Sequence, residues 1–202
     1  MRPAPAGWHH GWVRNLTYFV AVTLDGFIAG PDGSFDFFPF SQQYEDLVTS
    51  DYPETLPSHF RQALGVNAEG RRFDTVVSGF ATYEVGLRSG FPSPYNHLRQ
   101  YVVSTRLTSP PHPDIEVINS DPVAAVRELK AEDGLGIYLC GGGKLAAALV
   151  SEIDELVLKQ SPIVIGAGIP LFEGGFDPQR FALVDSRSID IGVTFASYRR
   201  AG

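Results

Sequence analysis

Cysteine is nearly absent from this sequence: the 202 residues include a single one, Cys140. One cysteine cannot form an internal disulfide framework, so the chain is not a disulfide-stapled scaffold, and a reducing cytoplasm is the expected compartment. Cys140 ends an apolar run, which indicates a buried, inert thiol. The five histidines are scattered along the chain. No metal-ligand spacing is visible, and we expect no metal site.

Positive charge is also scarce, with 16 lysines and arginines against 23 aspartates and glutamates and a net charge of −7. Such a balance argues against nucleic acid or an anionic membrane as a partner. Apolar runs of the roughly 20 residues that a bilayer span needs are missing. A content of 44% hydrophobic and 19% charged residues is typical of globular proteins. We expect a poorly ordered extension over residues 1–13 and one domain over residues 14–202.

The most informative stretch is an apolar segment, Ile137 to Cys140, that runs directly into Gly141, Gly142 and Gly143. Good helix formers follow to about Val150. The pattern predicts a buried strand, a tight turn and a helix. Glycines let a ligand approach the backbone amides, and the first helical N–H groups attract an anion. The turn is therefore a candidate phosphate site. The alternative is a glycine-rich connection that only packs the helix on the strand.

Two other predicted strands, Phe73–Ser78 and Gln100–Ser104, end in similar chemistry. The residues concerned are Gly79, Thr82, Ser104, Thr105 and Arg106. Hydroxyls, an arginine and a glycine before a helix all suit a phosphate. The alternatives are a helix-capping threonine and a solvated arginine. Since ligands of α/β sheets bind beyond the carboxyl ends of the strands, we expect the three turns to share one rim of the sheet.

The remaining segments complete the predicted fold. A first strand over residues 15–24 precedes a glycine-punctuated loop over residues 25–33. Four phenylalanines within residues 35–40 predict core or pocket wall. Residues 58–64 predict a short helix capped by its serine, and the alternation over residues 181–199 predicts an antiparallel hairpin. Together they indicate an α/β fold whose central twisted sheet is mostly parallel, with helices on both faces and an antiparallel C-terminal hairpin.

The ordered motifs resemble those of the dihydrofolate reductase-like superfamily, and within it the reductase domain of bacterial riboflavin biosynthesis. The matching segments are residues 21–29, 79–84, 103–106, 141–144 and 162–172. The resemblance implies a three-layer fold and an NADPH-dependent reductase acting on a small heteroaromatic or sugar-amine substrate of the pteridine or riboflavin-pathway pyrimidine type. Relatives of this type form dimers, so we expect a homodimer, for which the terminal hairpin offers an edge.

The resemblance also assigns roles to individual residues. The pyrophosphate would be held by Gly141, Gly142, Gly143 and Lys144, backed by Leu145, and on its other side by Gly79 and Thr82. The adenosine ribose and its 2′-phosphate would contact Ser104, Thr105 and Arg106. The nicotinamide would be framed by Ala21 and Ile28.

The catalytic residues are less well marked. Asp25 and Asp36 are the candidates for proton transfer or substrate contact, although Asp25 could equally be a turn residue. Tyr83 is a candidate substrate contact. Phe80 stands where the family usually has a basic residue that contacts the cofactor phosphates. This departure favours an alternative in which the protein binds or senses NADP(H) without catalysis.

Overall fold

An eight-stranded sheet organises residues 14–201, which are the part of the chain that the computed structural model describes. The predicted extension over residues 1–13 lies outside these residues. The strands are β1 (Leu16–Thr23), β2 (Phe27–Ala29), β3 (Phe73–Gly79), β4 (Arg99–Val103), β5 (Ile115–Ile118), β6 (Gly136–Gly141), β7 (Glu155–Ser161), β8 (Ile169–Pro170), β9 (Phe181–Ser188) and β10 (Thr194–Arg200). The helices are α1 (Gln42–Asp51), α2 (Ser58–Ala63), α3 (Phe80–Arg88), α4 (Pro122–Ala131) and α5 (Gly143–Ala148), with a 3-10 turn at Pro53–Thr55.

The strands of the large sheet follow the order β5-β4-β3-β6-β1-β7-β10-β9. All neighbours from β5 to β7 are parallel, while β10 is antiparallel to both β7 and β9. The predicted α/β sheet with an antiparallel C-terminal hairpin is thus confirmed. Because the parallel strands point the same way, β1, β3, β4, β6 and β7 end on one rim, where the predicted turns lie.

Alternation along the strands divides the core into two faces. One face carries residues such as Tyr18 and Leu139, which pack beneath α4 and α5. The other face carries Phe19 and Tyr138, which pack beneath α1. Helices therefore cover both faces of the sheet, and no helix among residues 14–201 is long and apolar enough to cross a membrane.

Three local predictions need correction. The helix predicted to run to about Val150 ends at Ala148 and is only six residues long. The helix predicted over residues 58–64 spans Ser58–Ala63, and Pro57, not a serine, is at its N-cap position. The Ser58 hydroxyl bonds the side chain and backbone of Asn96 and does not cap the helix. The phenylalanine cluster is not core: Phe35 is 53% and Phe40 is 66% exposed. Phe37 and Phe38 are partly buried and pack on each other, with ring centroids 4.7 Å apart, so the pocket wall stays a prediction.

Candidate functional site

The glycine turn between β6 and α5 lies against the end of β3. Gly141 has φ = +119°, a conformation that residues with a Cβ rarely adopt. A Cβ placed on Gly79 would lie 3.5 Å from the Gly141 carbonyl oxygen, and one placed on Gly142 would lie 3.4 Å from Thr82 Oγ1. The two turns, more than 60 residues apart in the chain, therefore form one surface of backbone amides with the Thr82 hydroxyl beside it.

The late loop, residues 162–180, runs from the end of β7 to the start of β9 and includes β8. It covers the opposite side of the glycine turn. The Glu173 amide donates to the Gly143 carbonyl at 3.0 Å. A Cβ on Gly143 would overlap the Pro170 carbonyl oxygen, so this position requires glycine. Leu145 is buried behind the turn, as the resemblance implies. The Lys144 side chain is 82% exposed and pairs loosely with Glu173, 3.5 Å from Nζ to Oε1.

The third turn, after β4, presents its basic residue to solvent. Ser104 is buried, and its Oγ accepts hydrogen bonds from the amides of Arg106 at 3.1 Å and Leu107 at 3.2 Å. This serine shapes the turn and keeps its own O–H proton free to donate. Thr105 and Arg106 are exposed, and Arg106 makes no ion pair with any residue in the described range 14–201.

The two residues expected to frame the nicotinamide flank the end of the central strand. Ala21 is half-buried in β1, and Ile28 is half-buried in β2. β2 pairs with β8 of the late loop. The Leu171 amide of that loop also donates to the Gly26 carbonyl at 2.9 Å. The loop after β1 is therefore fixed to the segment that backs the glycine turn, which brings the two halves of the expected cofactor site together.

Asp25 ties the loop after β1 to the loop after β7. Its carboxylate accepts from Thr23 Oγ1 at 2.6 Å and from the amides of Ile165 at 3.1 Å and Gly166 at 2.7 Å. These bonds, the Thr23 bond first, hold the pKa of Asp25 below its ordinary value. The carboxylate is thus ionised at neutral pH, and it remains exposed to solvent. The geometry supports the alternative of a turn residue, while a part in proton transfer or substrate contact stays a prediction.

The other two candidates, Asp36 and Tyr83, lie on other elements of the fold. Asp36 is exposed in the loop before α1, and its carboxylate makes no hydrogen bond within residues 14–201. Tyr83 is only 3% exposed, and its hydroxyl donates to the Pro92 carbonyl at 2.7 Å. Burial raises the pKa of this tyrosine. Its ring packs on the sheet beside Val102, which does not favour a substrate contact, and that role stays a prediction. Phe80 packs on the same cluster.

A group of side chains on the sheet face beneath α1 was not predicted from the sequence. Lys159 of β7 pairs with Ala21 of β1 in the sheet, and its Nζ lies 4.3 Å from the centroid of the Phe19 ring and 5.7 Å from that of Tyr44. The one signal was a lysine at a core-facing position of an apolar, alternating strand.

Cys140 lies on the same face. Its Sγ accepts a hydrogen bond from the Tyr138 hydroxyl at 3.2 Å, and the Tyr95 hydroxyl lies 3.6 Å away. Removal of water from around the sulfur raises the pKa of the thiol, although the nearby Lys159 charge opposes this effect. The thiol is therefore protonated at neutral pH, in keeping with the predicted inert cysteine. Among residues 14–201, no group of three or more histidine, cysteine, aspartate or glutamate side chains is arranged to hold a metal ion.

Comparison with known proteins places this geometry in a family. The family model described as "RibD C-terminal domain" matches residues 14–195. The uncharacterized protein YwjB of Bacillus subtilis (strain 168) is 32% identical over 161 residues, which cover 79% of this chain and 83% of YwjB.

Two solved structures share the fold. A putative riboflavin biosynthesis protein from Shewanella sp. PV-4 has a TM-score of 0.69 and 23% identity, over 93% of this chain and 99% of that one. A dihydrofolate reductase from Enterococcus faecalis, complexed with NADP(H) and RAB-propyl, has a TM-score of 0.61 and 17% identity, over 93% and 97% of the two chains. The fold is thus reductase-like, and the chain belongs to the RibD C-terminal domain family.

Proposed function

We propose that the protein is a reductase that transfers a hydride from NADPH to a small heteroaromatic or sugar-amine compound of the pteridine or riboflavin-pathway pyrimidine type. The observation that carries the proposal is that Gly79, Thr82 and the glycine turn lie side by side, so that an added Cβ would contact the facing oxygen at 3.4–3.5 Å. Family membership and the NADP(H) complex of the structurally similar E. faecalis enzyme support it. The single cysteine suits a reducing cytoplasm as the place of the reaction.

The residues on the rim fit a dinucleotide phosphate. The glycines at positions 79 and 141–143 carry no side chains, which suits the approach of a pyrophosphate to backbone N–H groups, and the Thr82 hydroxyl lies beside Gly142. Lys144 adds a positive charge that its 3.5 Å contact with Glu173 neutralises only in part. Arg106 is exposed and can fork onto a 2′-phosphate, with Thr105 beside it. When bound, NADPH supplies the hydride.

The chain itself positions the reacting ring. Ala21 and Ile28 border the place where the nicotinamide enters, at the carboxyl end of the central strand. Holding that ring against the substrate removes the entropic cost of bringing the two together. A proton must also reach the reduced product. Since Asp25 is ionised and engaged, Asp36 is the remaining carboxylate among the two candidates, and solvent reaches it directly.

One observation favours a second function. Phe80 occupies the position of the family's usual basic residue and packs into the cluster of Tyr83, Val102 and Ile115. It therefore offers nothing to the cofactor phosphates. A protein that binds NADP(H) and senses it without turnover also fits this substitution.

The proposal is tested by titrating the purified protein with NADPH and following nicotinamide fluorescence. Thr82→Val removes one hydroxyl at nearly constant volume, and we expect it to weaken NADPH binding about tenfold, as loss of a hydrogen bond to a charged group does. Thr49→Val is the matched control, because the Thr49 hydroxyl bonds only its own helix.

Turnover is then measured as NADPH oxidation with pteridines and aminopyrimidines as oxidants. Oxidation with one of these compounds supports the reductase. Tight NADPH binding without turnover by any of them supports the sensing alternative, and a wild-type protein that binds neither NADPH nor NADH contradicts both functions.

The homodimer is likewise a proposal. β9 is an edge strand whose outer side has no partner within residues 14–201, and its Leu183 and Val184 are 59% and 57% exposed. An exposed edge strand with apolar side chains is a template for pairing with a second chain. We propose that two copies pair through this strand.

A further inference from the structure

Lys159 is a partly buried cation without an anionic partner in the described chain. It makes no ion pair with any carboxylate of residues 14–201, and none of its hydrogens is donated to an acceptor there. Its neighbours are the faces of Phe19 and Tyr44. The other two lysines of the chain, Lys130 and Lys144, both pair with carboxylates.

This arrangement leaves the Lys159 ammonium group without a hydrogen-bond acceptor among residues 14–201. Cation–π contacts at 4.3 and 5.7 Å hold the side chain in place. An ammonium nevertheless carries three N–H donors, and aromatic faces do not replace an oxyanion as their acceptor. Because Lys159 is only partly buried, water can reach these donors. A negatively charged group that enters from solvent would replace that water with a charge-assisted hydrogen bond.

The position of Lys159 indicates which molecule brings that group. Lys159 and Ala21 are paired residues on adjacent parallel strands, so their side chains project from the same face of the sheet. Ala21 borders the expected nicotinamide site. The phosphate-binding candidates lie elsewhere, at the ends of β3, β4 and β6. With the nicotinamide at Ala21 as proposed, Lys159 would lie beside it on the sheet face that α1 covers, next to the Tyr44 ring.

We infer that the Lys159 ammonium binds an oxyanion, a carboxylate or a phosphate, that the substrate carries next to its reactive ring, with Tyr44 lining the ring's binding site. The inference rests on the proposed reductase function and narrows its substrate class from heteroaromatic compounds in general to anionic ones. In a chain of net charge −7, such a group needs a dedicated positive charge to bind.

The test uses three fluorescent pterins that share one ring system: 6-hydroxymethylpterin, its monophosphate and pterin-6-carboxylate. Their binding to the protein saturated with NADP+ is measured by fluorescence anisotropy. We expect the wild type to bind at least one of the two anionic pterins about tenfold more tightly than the neutral one, since a charge-assisted bond replaces solvation. The anionic pterin that binds more tightly than the neutral one identifies the oxyanion as a carboxylate or a phosphate.

Three variants separate recognition from structure. Lys159→Met keeps the length of the side chain and removes its charge, and we expect it to bind all three pterins equally. Lys159→Arg is expected to restore the preference for the anionic pterin. Arg88→Met is the control for loss of one positive charge, because Arg88 is 75% exposed and pairs only with Glu84 in its own helix.

The outcomes also distinguish this inference from the proposed function. NADPH affinity, measured separately, is expected to be the same in wild type and Lys159→Met. If NADPH binds normally but the wild type shows no preference for an anionic pterin, or Lys159→Met keeps that preference, the inference about Lys159 is wrong while the reductase proposal stands. If the wild type binds no nucleotide, the reductase proposal fails together with the inference.

Discussion

Gly143→Ala is the substitution whose effect follows most directly from the geometry. The added Cβ would overlap the Pro170 carbonyl oxygen and come within 3.4 Å of the Glu173 amide nitrogen. Both groups are backbone, so relief requires the late loop to move away from α5. Overpacking of this kind costs about 1–3 kcal/mol. For a domain of this size, that corresponds to a melting temperature lower by roughly 2–12 °C.

Gly79→Ala is the matched control for this prediction. Its Cβ would make contacts of 3.5–3.7 Å, which are ordinary van der Waals distances, and its φ of −74° suits any residue. We expect a change of at most about 0.5 kcal/mol, as for substitutions that disturb no packing. Urea unfolding measures both variants. A Gly143→Ala protein as stable as the wild type would refute the close packing of the late loop on the glycine turn.

Three further predictions concern Asp25, Tyr83 and the edge residue Leu183. Asp25→Asn should lower the free energy of unfolding at neutral pH. The difference in this free energy from wild type should shrink as the pH falls below the ordinary aspartate pKa of 3.8 and through the lowered pKa of the folded state. Urea unfolding from pH 7 to pH 2 measures the difference, and a value that stays constant with pH contradicts the prediction. Tyr83→Phe should cost about 1 kcal/mol by leaving the Pro92 carbonyl without its partner and should leave NADPH and pterin affinities unchanged; altered pterin affinity would restore Tyr83 as a substrate contact. Leu183→Lys should convert the proposed dimer to a monomer in light scattering, and a wild type that is already monomeric at micromolar concentration contradicts the dimer.

The order of elements was readable from the sequence because local chemistry and tertiary structure agree there. Apolar strands ending in glycine or hydroxyl residues predicted β3, β4 and β6, and all three end on one rim. At the start of α4, the Asp121 carboxylate accepts from the Val123 amide at 2.9 Å, the N-cap that an aspartate followed by proline favours.

Side-chain direction was harder to predict. Tyr83 looked close to the rim in sequence, but the rotation of α3 places its ring in the core. Asp25 looked like a candidate acid, but its partners, the amides of Ile165 and Gly166, lie 140 and 141 residues away in the chain. A role for Lys159 was not predicted because it depends on strand register. Only the pairing with Ala21 places Lys159 beside the expected nicotinamide site. Contacts of this kind depend on tertiary structure that a single sequence does not display.

A titration with NADPH and NADH tests whether the rim binds NADPH. We expect wild type to prefer NADPH, Arg106→Ala to lose that preference by about 10- to 100-fold through loss of a charge-assisted bond, and the exposed control Arg88→Ala to keep it. Gly142→Asp places a carboxylate at the turn beside Thr82 and should abolish the binding of both nucleotides. A wild type that binds neither nucleotide, or a Gly142→Asp variant that binds both as well as wild type, would contradict the account.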